Sequence, residues 1–185
     1  MATPSTMLPL GTAAPAFELP DTVSGRTRSL DELAGKRGTL VMFICNHCPY
    51  VQHVIPELLK LAAEFQPRGV SFVAISSNDV GSYPEDGPEA MSREAAKHGF
   101  PFPYLYDATQ QIAIAYDAAC TPDFYLFDAG LKLVYRGRLD DSTPRNGKPL
   151  TGADLRAALI ALLAEQTIPA EQFPSLGCSI KWVSR

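Results

Sequence analysis

Thr39-Leu40-Val41-Met42-Phe43-Ile44-Cys45-Asn46-His47-Cys48-Pro49 is the stretch that decides how the chain reads. Residues 39–44 form a short run of apolar and β-branched side chains without polar alternation. That is the pattern of a strand buried on both faces, at the centre of an α/β sheet. Beyond it, Val51, Val54, Ile55, Leu58, Leu59, Ala62 and Phe65 recur at helical spacing up to the turn at Pro67-Arg68-Gly69. Pro49 falls in the first helical turn, where a missing N–H costs little, and Pro56 predicts a kink further on. The reading therefore places Cys45 at the start of the helix and Cys48 about one turn in. Free N–H groups and the helix dipole then stabilise a thiolate at Cys45, with His47 adding positive charge or a hydrogen bond. Both effects lower the Cys45 pKa and weaken the disulfide relative to the dithiol.

The wider composition narrows the chemistry. Hydrophobic residues make up 46% of 185 and charged residues 19%, which describes a packed chain and not a disordered one. Lys and Arg number 16 against 20 Asp and Glu, a net charge of −4, so no concentrated basic surface for nucleic acid is expected. The longest apolar runs are far shorter than the ~20 residues that cross a bilayer. The opening MATPSTMLPLGTAAPAF has no basic residue ahead of its apolar positions, so no secretory signal and a cytoplasmic location are expected. Four cysteines (Cys45, Cys48, Cys120 and Cys178) are too few and too unevenly spread for a disulfide scaffold of this length. Zinc wants four ligands and the Cys-x-x-Cys supplies two, with no second pair to complete it, so no metal is expected. The pair reads as a redox dithiol, with an inert core pair as the plainer alternative.

Val70 to Ser76 reads as a second buried strand, 78–88 as a loop and Glu89 to His98 as a polar helix. Tyr104–Tyr106 reads as an edge strand and Thr109 to Tyr116 as a helix. Asp123–Phe127, the turn at Asp128-Ala129-Gly130 and Lys132–Arg136 make a hairpin, and a last amphipathic helix opens at Thr151-Gly152-Ala153-Asp154. There are no repeats and no linker, which predicts one domain over 1–185, with a core of about 8–165 and a tail, 166–185, docking on it.

This order, with Cys-x-x-Cys at the first strand-to-helix junction and Thr121-Pro122 just before the hairpin, resembles the thioredoxin fold. The opening Leu10-Gly11-Thr12-Ala13-Ala14-Pro15-Ala16-Phe17-Glu18-Leu19 is similar to the leader of its redoxin branch, the AhpC/TSA peroxiredoxins and TlpA/ResA-like thiol–disulfide oxidoreductases. The resemblance implies a central mixed sheet flanked by helices, an added N-terminal β-hairpin from Phe17–Leu19 and Thr27–Leu30, and a cis peptide at Thr121-Pro122. It also implies a thiol–disulfide oxidoreductase, with Cys45 attacking and Cys48 resolving. Asn46, His47 and Pro49 would tune the pair, and the Thr121 and Pro122 backbone would align a substrate strand. The partners implied are a protein or small-molecule disulfide and a thiol reductant; no organic cofactor is implied beyond the redox-active disulfide. The alternative is a peroxiredoxin-like peroxidase, since Cys48 stands where peroxiredoxins carry their peroxide-attacking cysteine. Cys45 replaces their threonine, and Thr121-Pro122-Asp123 stands where their arginine would be sought. The Asn-His filling resembles DsbA-like oxidants and implies a less reducing potential than thioredoxin's. A copper-delivery reading needs a histidine after Pro122, and there is none.

Other groups read more plainly. Cys120 is a possible additional thiol or a small core residue; Cys178, in an apolar tail, reads as packing or a spare thiol. Asp123 and Glu57 are candidates for a proton relay. His53 reads as surface and His98 as a helix end. Asn78-Asp79 reads as a turn or the rim of a substrate groove, and 140–147 as a solvated loop.

Overall fold

The computed structural model describes residues 2–184; Met1 and Arg185, inside the predicted domain limits, lie outside the described residues. In chain order the strands are β1 (Thr3–Pro4), β2 (Glu18–Pro20), β3 (Thr27–Ser29), β4 (Gly38–Phe43), β5 (Val70–Ser76), β6 (Tyr104–Tyr106), β7 (Cys120–Thr121), β8 (Asp123–Asp128), β9 (Leu133–Gly137) and β10 (Leu176–Ser179). The helices are α1 (Leu30–Leu33), α2 (Pro49–Phe65), α3 (Pro88–His98), α4 (Gln111–Ala115) and α5 (Ala153–Leu163).

A five-stranded sheet of order β6-β5-β4-β8-β9 forms the centre, parallel across β4, β5 and β6 and antiparallel from β4 to β8 and β9. Every residue of β4 is buried, as the unbroken apolar run requires. Alternate side chains go to opposite faces. Leu40 and Met42 join α2, α3 and α5 in one core, while Val41 and Phe43 join α1, α4 and the β2–β3 hairpin in the other. The strands β5 and β8 repeat this division, with Phe72 and Phe124 on the first face and Val73 and Tyr125 on the second. Burying each such side chain on both faces stabilises by about 1.5–3 kcal/mol, which pins β4 and with it the junction that follows. The predicted N-terminal hairpin pairs Glu18 with Ser29 and Pro20 with Thr27. The Thr121–Pro122 peptide is cis.

A second, three-stranded sheet runs β1-β10-β7. The tail strand β10 thus lies between the N-terminal segment and the backbone just ahead of Pro122, with Cys178 opposite Thr121 and Ser179 opposite Cys120. Glycine is required at 177, because a Cβ there would fall on the Thr121 carbonyl. Among the described residues no helix is long and apolar enough to cross a membrane.

Candidate active site

The chain leaves β4 at Phe43 and enters α2 only at Pro49, so residues 44–48 are loop. This corrects the expected placement: Cys48, not Cys45, is the N-cap residue, and Pro49 takes the first helical position where it loses no hydrogen bond. What holds the loop out of the helix is Asp86. Its wholly buried carboxylate accepts from the amides of Asn46 (2.8 Å) and His47 (3.3 Å), from His47 Nδ1 (2.6 Å) and from Asn78 Nδ2 (2.7 Å). Amides that would open a helix at Cys45 are thereby spent on a side chain from the 3₁₀ turn Pro84–Asp86.

Both cysteines of the pair are buried, Cys45 2% exposed and Cys48 not at all, and they meet over Thr121. Cys45 Sγ lies 3.3 Å from Thr121 Oγ1, and Cys48 Sγ, when protonated, donates to the Thr121 carbonyl at 3.2 Å. Each thiol acts on the other's protonation, so the two titrate as a pair. The surroundings decide which sulfur keeps its proton. The hydrogen bond to Cys48, burial and the Asp86 carboxylate all push the Cys45 thiol up. Cys48 is pulled down to about 5, chiefly by the Cys45 hydrogen bond and further by the Cys178 thiol and the Val51 amide of the first helical turn, against its own burial. The amide of the first helical turn thus acts on Cys48 and not on Cys45, whose thiol is pushed up and not, as expected, down.

His47 does not face the sulfurs as a bare cation. Its ring is paired with Asp86 and stacks on Tyr83, with centroids 5.1 Å apart. Cys45 Sγ, a His47 ring nitrogen and an Asp86 oxygen lie within 4.8 Å of one another, a donor set a metal could use. Both Asp86 oxygens already accept two hydrogen bonds each, so the cluster is complete without an ion. Asn46 braces the loop, donating to Glu85 O at 2.7 Å and accepting from Tyr104 Oη at 3.0 Å.

Of the Thr121 and Pro122 backbone expected to align a substrate strand, the Thr121 part is already paired with β10. The tail is fastened further along: Lys181 N donates to Asn78 Oδ1 at 2.9 Å, Asp79 N to Lys181 O at 2.8 Å, and Lys181 Nζ sits 5.7 Å from the Tyr83 ring centre. Asn78 is thus a strut between the tail and Asp86, not a groove wall. Cys120 is wholly buried, its Sγ 3.8 Å from Pro122 O, and burial followed by the charge of Asp123 pushes its thiol up. Of the two relay candidates, Glu57 is tied to Lys60 and Arg156. Asp123, buried with Tyr125 Oη donating to it at 2.9 Å, is pushed up to about 7 by burial. His53 meets Ser142 at 2.9 Å and His98 meets Glu94 at 2.8 Å. Asp140, expected in a solvated loop, is buried and accepts from the amides of Ser142, Thr151 and Gly152.

Asp123 yields one prediction here. Its folded-state pKa lies above the ordinary carboxylate value, so folding holds its proton more tightly than the unfolded chain does, and ionising it as pH rises through about 7 costs stability. Asp123→Asn is therefore expected to raise the melting temperature at pH 8 and to lose that advantage progressively as pH falls from about 7 to about 4, the ordinary carboxylate value. Parallel thermal melts across that range check the sign.

The AhpC/TSA family model matches residues 10–136, from the leader through β9. The chain belongs to the AhpC/TSA family. An uncharacterized conserved protein from Geobacillus kaustophilus, known from its crystal structure, is 56% identical, with a TM-score of 0.98 over 100% of this chain and 98% of that one. The thiol-disulfide oxidoreductase ResA of Geobacillus thermodenitrificans is 29% identical over 131 residues, 71% of this chain and 70% of ResA. Peroxiredoxin-6 of Sus scrofa is 32% identical over 107 residues, 57% of this chain and 47% of that protein's length. The thioredoxin-like fold and thiol redox chemistry of the family thus apply to this member. Asp86 and the tail strand are the parts of its site that sequence reading missed. Asp86 sits among turn residues (Gly81, Pro84, Gly87, Pro88) and carries no local signal of a tertiary role. The apolar tail does signal docking, without saying where.

Proposed function

We propose that this AhpC/TSA member is a thiol–disulfide oxidoreductase in which Cys45 and Cys48 cycle between dithiol and disulfide. The observation that carries the reading is the pair of buried thiols brought together at Thr121, one on its hydroxyl and one on its carbonyl, with the Cys45 thiol pushed up and the Cys48 thiol pulled down. The roles are therefore exchanged relative to the sequence expectation. Cys48, as thiolate, attacks one sulfur of a disulfide and expels the other as a thiolate. Cys45 gives up its proton and displaces the bound sulfur from Cys48, leaving Cys45–Cys48 oxidised. A thiol reductant returns the pair to the dithiol, and no organic cofactor enters. The ResA resemblance supports this class of chemistry.

The reading predicts that the thiolate ultraviolet absorbance of the reduced protein titrates with a midpoint near 5, assigned to Cys48. A Cys48→Ser variant is expected to lose that step, and exchange slows as pH falls through it. A midpoint in the ordinary thiol range, or one that survives in Cys48→Ser, contradicts it.

A second reading, a thiol peroxidase, is favoured by one feature: the depressed thiolate is Cys48, at the position peroxiredoxins use. Against it, among the described residues, the groups that pull the Cys48 thiol down most include no cation. The groups are Cys45, Cys178 and the Val51 amide. Arg136 is turned to Leu8 O and Gln172, and Arg138 to Asp154 and the Phe173 ring.

A further inference from the structure

All four cysteines of the chain converge on the backbone around Thr121. Cys120 is its neighbour, Cys45 and Cys48 lie over it, and β10 sets Cys178 directly opposite it. The Cys178 side chain packs against the core cluster that contains Cys48, and it stands opposite Thr121, whose carbonyl lies 3.2 Å from the Cys48 sulfur. Cys178 differs from the other three in access. Cys45, Cys48 and Cys120 are buried, whereas Cys178 is partly exposed. It lines an open cleft of about 300 Å³ together with Ala2, Pro49, Tyr50, Pro144 and Arg145.

We propose that Cys178 is a relay thiol, through which the buried Cys45–Cys48 pair exchanges electrons with small thiols in solution. This rests on the dithiol reading above and adds its route to solvent. Exchange requires an attacking sulfur to reach the bond it breaks. A polypeptide strand cannot lay itself along Thr121, because β10 occupies that edge and β1 backs it. A small thiol meets the same cover over Cys45 and Cys48, but the cleft leads it to Cys178.

The chemistry balances as follows. In the oxidised protein the Cys178 thiolate attacks Cys48 Sγ; the Cys45–Cys48 bond breaks, a Cys48–Cys178 bond forms, and Cys45 leaves as a thiolate and takes up a proton. A small thiol, RSH, then attacks Cys178 Sγ from the cleft as its thiolate. It expels Cys48 as a thiolate and leaves RS bound to Cys178. A second RSH releases RSSR and restores the Cys178 thiol. Two RSH are oxidised and one protein disulfide is reduced; one proton ends on Cys45 and the other, above about pH 5, in solvent. The charge of Cys48 opposes ionisation of Cys178 only in the reduced protein. In the reduced protein, burial and then the hydrogen bond to Cys48 and its charge push the Cys178 thiol up to about 11, with Lys181 acting the other way. Once Cys48 is tied in a disulfide its charge is gone, while burial, the largest cause, and the opposing influence of Lys181 remain.

The test uses the full-length reduced Cys45→Ser protein with one equivalent of 2-hydroxyethyl disulfide, followed by non-reducing peptide mapping. A Cys48–Cys178 linkage is expected. A stable reagent adduct on Cys48 overturns the relay and leaves the dithiol reading intact. A Cys48 that stays free, beside a Cys48→Ser variant that forms an adduct on Cys45, overturns the assignment of Cys48 instead. A second arm reads the rate in the otherwise intact protein. Cys178→Ser and Cys178→Ala are each expected to slow reduction of the Cys45–Cys48 disulfide by 2-mercaptoethanol at least about tenfold, with its reduction potential little changed. An unchanged rate in either folded variant overturns the relay, whatever the peptide map shows.

Discussion

Cys48→Ser is expected to lower thiol–disulfide exchange by at least about a thousand-fold, the scale of loss when a covalent nucleophile is removed. Serine keeps the size and the hydrogen bond to the Thr121 carbonyl that the Cys48 thiol makes at 3.2 Å. What it lacks is a group that ionises near 5, so the stabilised thiolate of the pair disappears. Cys45→Ser is expected to fail differently. The thiolate at Cys48 survives and attacks, but nothing at 45 displaces the product, so one equivalent reacts and any further turnover depends on Cys178. The measurement is a progress curve with a chromogenic disulfide: a burst of one equivalent from Cys45→Ser and no burst from Cys48→Ser. The reverse pattern would return the attacking role to Cys45.

Asp86→Ala is expected to cost about 3–5 kcal/mol of stability, the largest loss from a single side chain in the site region. The carboxylate is wholly buried and satisfies four donors, two amides of the active loop and the side chains of His47 and Asn78. Each donor left buried without a partner costs about 1 kcal/mol or more. The loss spreads, since Asn78 also accepts from Lys181 N and so ties the tail to the same cluster. Asp86→Asn separates charge from shape. It removes the negative charge that raises Cys45, so the Cys45 thiol is expected to move down while much of the loop geometry stays. Urea unfolding gives the stability difference, and thiolate absorbance gives the shift. Unchanged stability in Asp86→Ala would mean that the loop is held by something other than this carboxylate.

The two buried strands, the helix after the cysteines, the hairpin and its preceding Thr-Pro were legible because each is written in a contiguous run. Residues 39–44 need only be apolar to become the central strand, and Pro49 marks a first helical position wherever it stands. The helix start was misjudged because the amides of Asn46 and His47 go to Asp86, a contact across the fold that no local pattern encodes. The same shift of the helix start puts a first-turn amide, that of Val51, on Cys48, beside the larger influence of the Cys45 thiol. The apolar run around Cys178 foretold docking. That the docked strand would take the Thr121 edge depends on register, with Gly177 lying where any side chain would meet the Thr121 carbonyl.

The central claim is that the pair exchanges disulfides, and the most direct measurement sets hydrogen peroxide against a small disulfide as oxidant of the fully reduced protein, with tandem mass spectrometry of the products. The account predicts rapid oxidation by the disulfide that links Cys45 to Cys48, and oxidation by peroxide no faster than that of a free thiolate. Fast peroxide oxidation that disappears in Cys48→Ser, with a sluggish reaction toward the disulfide, would contradict it and make the protein a peroxidase.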